Sequence, residues 1–176
     1  LVGLCTNSSG SNCEPGEAFN GEGVHVPGLE FSLGTAFAAA AGWQMPLQVV
    51  YTWMDAEFQT DFDSSFFGEV SKGDPVPYVP ESQLWVSLGL ERGAWSFFLS
   101  GNHLGSVCTE ASCGDFEETE SATLFDLSAH YRISDALELY GVVENLTDEL
   151  YIAGRTPYGA RPNKPQTFML GAKFGF

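Results

Sequence analysis

Residues 152–165 hold Arg155, Arg161 and Lys164, three of the seven Lys and Arg residues in the chain. Guanidinium forks and an ammonium point charge suit an anionic, carboxylate-rich ligand. Tyr158, between the two arginines, offers a ring for stacking and a hydroxyl for hydrogen bonding. The competing use of these cations is pairing with acidic loops of the chain. Four cysteines form two local pairs, Cys5 with Cys13 and Cys108 with Cys113. Three connectivities are open, and local pairing is the simplest. Disulfides would place the chain in an oxidising compartment. Neither spacing is C-x-x-C, and His25, His103 and His130 form no ligand motif, so no metal site is expected. Nucleophile elbows, H-E-x-x-H and phosphate-binding loops are missing from the sequence. Glu117 and Glu118 are only neighbours in a loop, which does not make a hydrolase. The chemistry therefore points to binding rather than catalysis, with no cofactor called for.

Charge narrows the partners. The formal net charge is −16, from 7 Lys and Arg against 23 Asp and Glu. Phosphate backbones need clustered cations, so nucleic acid is excluded as a partner. The acids are scattered through loop-like stretches, as at Asp115, Glu117, Glu118 and Glu120, which reads as solvated acidic loops. No apolar run approaches the roughly 18 residues of a membrane helix. The chain opens at Leu1 with neither Met nor a leader pattern, and reads as a mature or truncated piece.

The elements that must carry these residues have a period of two. Phe125, Leu127, Ala129, Tyr131 and Ile133 alternate with Asp126, Ser128, His130 and Arg132. Successive strand side chains point to opposite faces, so one face is apolar and the other polar. The pattern recurs, and strands are expected at about 22–40, 46–61, 82–92, 94–107, 121–134, 136–151 and 166–176, with residues 1–5 ending an earlier strand. Their length suits tilted strands that cross a bilayer. Short connections at 41–45, 92–94 and 134–136 alternate with long ones at 6–21, 62–81, 109–120 and 152–165. Tight turns at one end and long loops at the other are the layout of an outer-membrane barrel. Trp43, Trp53, Trp95 and Tyr151 fall near strand ends, where interfacial aromatic girdles lie. Trp85 falls in the polar register. The apolar face carries no charge in these registers. His130, Arg132 and Glu144 would then face the barrel lumen. A soluble antiparallel sandwich also alternates in this way and stays open as a competitor.

The C-terminal stretch resembles that of TonB-dependent outer-membrane receptors. The resemblance rests on Asn145-Leu146-Thr147-Asp148-Glu149-Leu150-Tyr151, then Arg155, Pro157, Tyr158-Gly159-Ala160-Arg161-Pro162 and Pro165, then the last strand ending in an aromatic residue. Pro77-Tyr78-Val79-Pro80, Leu88-Gly89-Leu90-Glu91 and Asp126-Leu127-Ser128 extend it back to about Gly21, leaving residues 1–20 anonymous. Receptors for ferric citrate and other ferric chelates, siderophores included, are the nearest subgroup.

The resemblance implies an all-β, antiparallel transmembrane barrel of about 22 strands in a Gram-negative outer membrane, filled by an N-terminal plug. Residues 1–176 would be its seven or eight C-terminal strands, with the plug and the N-terminal strands outside this chain. Phe176 would be the assembly signal. The implied partners are lipid and lipopolysaccharide, whose phosphates could also occupy the loop cations, the plug and remaining strands, the TonB complex acting through the plug, and a ferric chelate. Two other functions compete: a stand-alone small barrel with a structural or adhesion role, and a secreted carbohydrate-binding β-domain.

Overall fold

The computed structural model describes residues 2–3, 19–20, 23–64, 68–114, 116–155 and 159–175. Seven long strands form one sheet. They are β1 (Gly28–Ala38), β2 (Gln44–Met54), β3 (Ser82–Arg92), β4 (Trp95–Leu104), β5 (Ala122–Ser134), β6 (Leu137–Glu144) and β7 (Thr167–Phe174). Each pairs antiparallel with its sequence neighbour, so the sheet is a meander running from β7 to β1. It does not close: β1 and β7 are its two edges.

Register carries the alternation across all seven strands. Phe31 faces Tyr51, Tyr51 faces Leu84, Leu88 faces Leu99, Leu99 faces Leu127, Leu127 faces Val143 and Val143 faces Phe168. One continuous apolar face results, because a strand's side-chain period is two and the pairing does not slip between these rows. Among the described residues no second sheet covers it. Phe125 is 39%, Leu127 38% and Phe168 70% exposed, which excludes the sandwich. An open apolar face of this extent is unsuited to water and suited to lipid.

The opposite face is polar and includes Glu30, Gln48, Ser87, Ser100, Asp126, His130, Arg132, Glu138 and Lys173. Large side chains on the sheet cover glycines across the strand gap. Phe98 lies over Gly89, Phe125 over Gly101 and Tyr140 over Gly171. A Cβ at Gly171 would stand 2.4 Å from the Tyr140 ring. Such pairs pin strand register and fill the surface the glycine leaves bare.

The turns at one end are tight. Ala41 and Gly42 have φ of 58° and 77°, and Gly93 has φ of 60°, values that favour glycine. At the other end the expected long strands stop early. The hairpin of β1 and β2 is continued past Pro27 by a separate ribbon, Val24–His25 with Glu57–Phe58. Val2–Gly3 pairs with Phe19–Asn20. Further ribbons stand inside the long connections: Phe62–Ser64 with Gly68–Val70, Val107–Cys108 with Glu118–Thr119, and Ile152–Gly154 with Arg161–Pro162. Among their described residues these connections form paired ribbons. The buried apolar core of the described residues lies among them: Ala56, Phe58, Val70, Val76 and Ala111. The sheet thus exposes its apolar residues, while the loop cap buries this cluster and leaves Phe116 and Leu150 exposed.

Candidate functional site: the loop cap and the polar face

The loop cap gathers three long connections around Tyr78. Its N–H donates to the Cys108 carbonyl at 2.8 Å. Its hydroxyl accepts the Arg155 N–H at 3.3 Å. Residues from 55–81, 105–121 and 145–166 are joined in this way. Tyr78 has φ of 61°, a strained value for a bulky residue, held by its surroundings. Buried Val76, Pro77 and Pro80 flank it and supply that constraint. Cys108 and Cys113 form a disulfide across a sequence separation of 5. Beside it, the Thr109 hydroxyl donates to the Glu117 carbonyl at 2.6 Å.

The loop cations separate. Arg155 turns its Nε toward the Glu118 carbonyl at 3.2 Å. Arg161 stands opposite Gly154 on the same ribbon, its guanidinium close over that glycine. Lys164 lies further along, in an ion pair with Glu144. The sequence placed Glu144 among lumen-facing candidates and Lys164 among ligand contacts; the structure brings the two together. Tyr158 lies outside the described residues, as do Cys5, Cys13 and Phe176.

The Asn145 motif builds the junction between sheet and cap. Asn145 is 3% exposed and has φ of 50°. Its N–H donates to the Asp126 carboxylate at 2.8 Å. Its side-chain oxygen accepts the Glu149 N–H at 2.9 Å, and its side-chain nitrogen donates to the carbonyls of Glu149 and Lys164 at 2.9 and 3.1 Å. Asp148, with φ of 52°, accepts the Gln166 N–H at 3.1 Å. Asn and Asp tolerate this left-handed backbone and bond to their own turns, so both residues shape structure here.

On the polar face, His130 Nδ1 stands 3.1 Å from the Glu138 carboxylate. Its ring stacks on Tyr140 at 6.0 Å and meets Phe98 edge-on at 6.3 Å. Arg132 faces Glu138, which faces Lys173. His130, Arg132 and Glu144 therefore share one face, and Glu138, Tyr140 and Lys173 join them. Sequence reading missed Tyr78 as a junction and Glu138 as the partner of His130. The Pro-flanked Tyr78 segment was a visible signal for the first; the diagonal pairing of Glu138 had none. Among the described residues, no group of three or more His, Cys, Asp or Glu side chains is arranged to hold a metal ion.

An open meander with an apolar outer face, a polar inner face, tight turns at one end and a folded cap at the other defines a segment of a large outer-membrane barrel. The family model "TonB dependent receptor-like, beta-barrel" matches residues 4–146, and the chain belongs to that family. The match begins within the stretch that sequence reading left anonymous and ends before most of the C-terminal motif that carried the resemblance. No curated protein matches the chain.

Similar solved structures include the siderophore receptor PiuA from Acinetobacter baumannii, with TM-score 0.68 and 18% identity over 91% of this chain and 23% of that one. The unliganded ferric citrate transporter FecA has TM-score 0.63 and 16% identity over 97% of this chain and 27% of that one. The copper transporter OprC has TM-score 0.61 and 21% identity over 90% and 24%. At such identities the likeness is one of fold. The chain spans about a quarter of each of these structures.

Proposed function

We propose that this chain is the C-terminal barrel segment of a Gram-negative outer-membrane transporter that brings a ferric chelate into the periplasm. The carrying observation is the uncovered apolar face with two unpaired sheet edges, which only further strands in a membrane would satisfy. A barrel of about 22 strands would supply them, together with a plug in the lumen. The family supports a receptor rather than an enzyme. The choice of an iron chelate over copper rests on neighbours named for siderophore and ferric citrate, and on the arginines of the 152–162 ribbon.

In this reading the loops face outward and a ligand settles against Arg155 and Arg161, with Tyr158 the further contact expected from the sequence. Lys164 shapes the junction through Glu144 and adds charge at one remove. His130, Arg132 and Glu144 line the lumen against water or the plug. The TonB complex would act through the plug, outside this chain.

Uptake of a radiolabelled ferric chelate under iron restriction tests the proposal. Deleting the receptor gene should abolish uptake of its cognate chelate, and normal uptake of every ferric chelate tried would reject iron transport. Arg155→Ala with Arg161→Ala in the complete receptor should weaken binding by roughly tenfold or more, as charged hydrogen bonds contribute about 1.5–3 kcal/mol each. Unchanged affinity would reject the residue assignment alone.

A further inference from the structure

The apolar face carries one cation at its rim. Arg92 ends β3 in the same register as Leu88 and Leu90, and it faces Trp95 across the tight turn. The charge-free face expected from the sequence therefore stops one row short of the turn. Among the described residues Arg92 makes neither an ion pair nor a side-chain hydrogen bond. Its neighbours there are aromatic. Its guanidinium stands 6.0 Å over the Trp43 ring. Trp43 and Trp95 each approach Phe97, at 6.4 and 5.8 Å, and Trp95 contacts Tyr131 at 4.3 Å.

We propose that Arg92, set between Trp43 and Trp95, binds the phosphate of one phospholipid headgroup in the periplasmic leaflet. The inference rests on the apolar face touching lipid. Tight turns mark the periplasmic end of such barrels, so the Arg92 row lies at that leaflet's headgroups. A guanidinium presents a fork matched to phosphate oxygens, and a flat aromatic ring beneath it leaves the fork's edge free. Trp and Tyr rings belong at this depth, with apolar bodies in the acyl region and polar atoms toward water. Charge complementarity selects the occupant. The cation faces outward from a wall that offers it no acid, while the acids of the polar face, Glu91 included, project the other way.

The complete receptor, released from the membrane and studied by native mass spectrometry in mild detergent, tests the site. The probe is added phosphatidylglycerol, with inorganic phosphate as competitor. Wild type should retain one more phosphatidylglycerol than Arg92→Gln, with retention roughly tenfold weaker in the variant. Arg92→Lys should restore part of it. Equal retention by wild type and Arg92→Gln overturns the site, and so does loss of the lipid to millimolar inorganic phosphate. A separate arm checks the underlying orientation. Phospholipids brominated on their acyl chains should quench the fluorescence of Trp53 and Trp95. Absent quenching would overturn the lipid-facing assignment itself, whereas quenching with equal retention overturns only the headgroup site.

Discussion

Tyr140 lies flat across Gly171, its partner on the neighbouring strand, so that no side chain larger than hydrogen fits beneath the ring. The contact joins β6 to the edge strand β7 and places the ring beside His130 on the polar face. Replacing Gly171 with Val should force the ring away. The expected loss is about 1–3 kcal/mol, as for other overpacked sites. A lowered urea midpoint for the refolded barrel would show it, and an unchanged midpoint would mean that the ring moves freely.

Leu127 and Ser128 are consecutive and face opposite ways in the middle of β5. Leu127→Arg puts a cation in the apolar face, at about 2–4 kcal/mol if that face meets the bilayer midplane. Ser128→Arg should cost far less. Equal losses measured by chemical denaturation in lipid would remove the distinction between the faces.

Asn145 holds the cap to the sheet through bonds to Asp126, Glu149 and Lys164. Asn145→Gly keeps the left-handed backbone but strands the Glu149 N–H, while the Glu149 and Lys164 carbonyls keep the Asn163 side-chain amide. The expected cost is about 1–3 kcal/mol. Amide exchange at residues 145–151 and 163–166 should accelerate more than exchange in β4 or β5; uniform change across the sheet would contradict a local role.

Lys164 and Glu144 are ion-paired but partly open to water. Exposed pairs contribute about 0–1 kcal/mol, so Lys164→Ala should shift stability by no more than this. Thermal or urea unfolding checks the value, and a larger loss would mean that Lys164 also holds the turn in place.

Reducing Cys108–Cys113 opens a loop of few residues, worth roughly 2 kcal/mol in chain entropy. The effect should stay near residues 105–121 and reach Arg155 through Tyr78. Exchange mapping with and without reductant reads this directly. A silent Arg155 amide would break the proposed link between the connections.

The barrel strands were legible because lipid on one side and a wet interior on the other impose a strict two-residue alternation. Leu84 to Leu90 and Phe125 to Tyr131 show it without help from tertiary context. The cap was not legible. Phe58, Val70 and Ala111 are scattered among glycines, prolines and acids, and their burial depends on connections far apart in sequence. The loop cations were visible as a cluster along the chain, yet their partners lie 37 residues away for Arg155 at the Glu118 carbonyl and 20 away for Lys164 at Glu144. Contiguity in sequence carried no information on those pairings. Arg92 sat in plain view, but its face became meaningful only once Trp95 was seen opposite.

In the proposed transporter, the dry interior formed by Ala56, Phe58, Val70, Val76 and Ala111 would make the described part of the outer rim a preshaped vestibule. Its entropy of ordering is already spent within the folded chain. An arriving molecule would meet a template instead of having to mould one, and its rate of capture would then be governed by encounter.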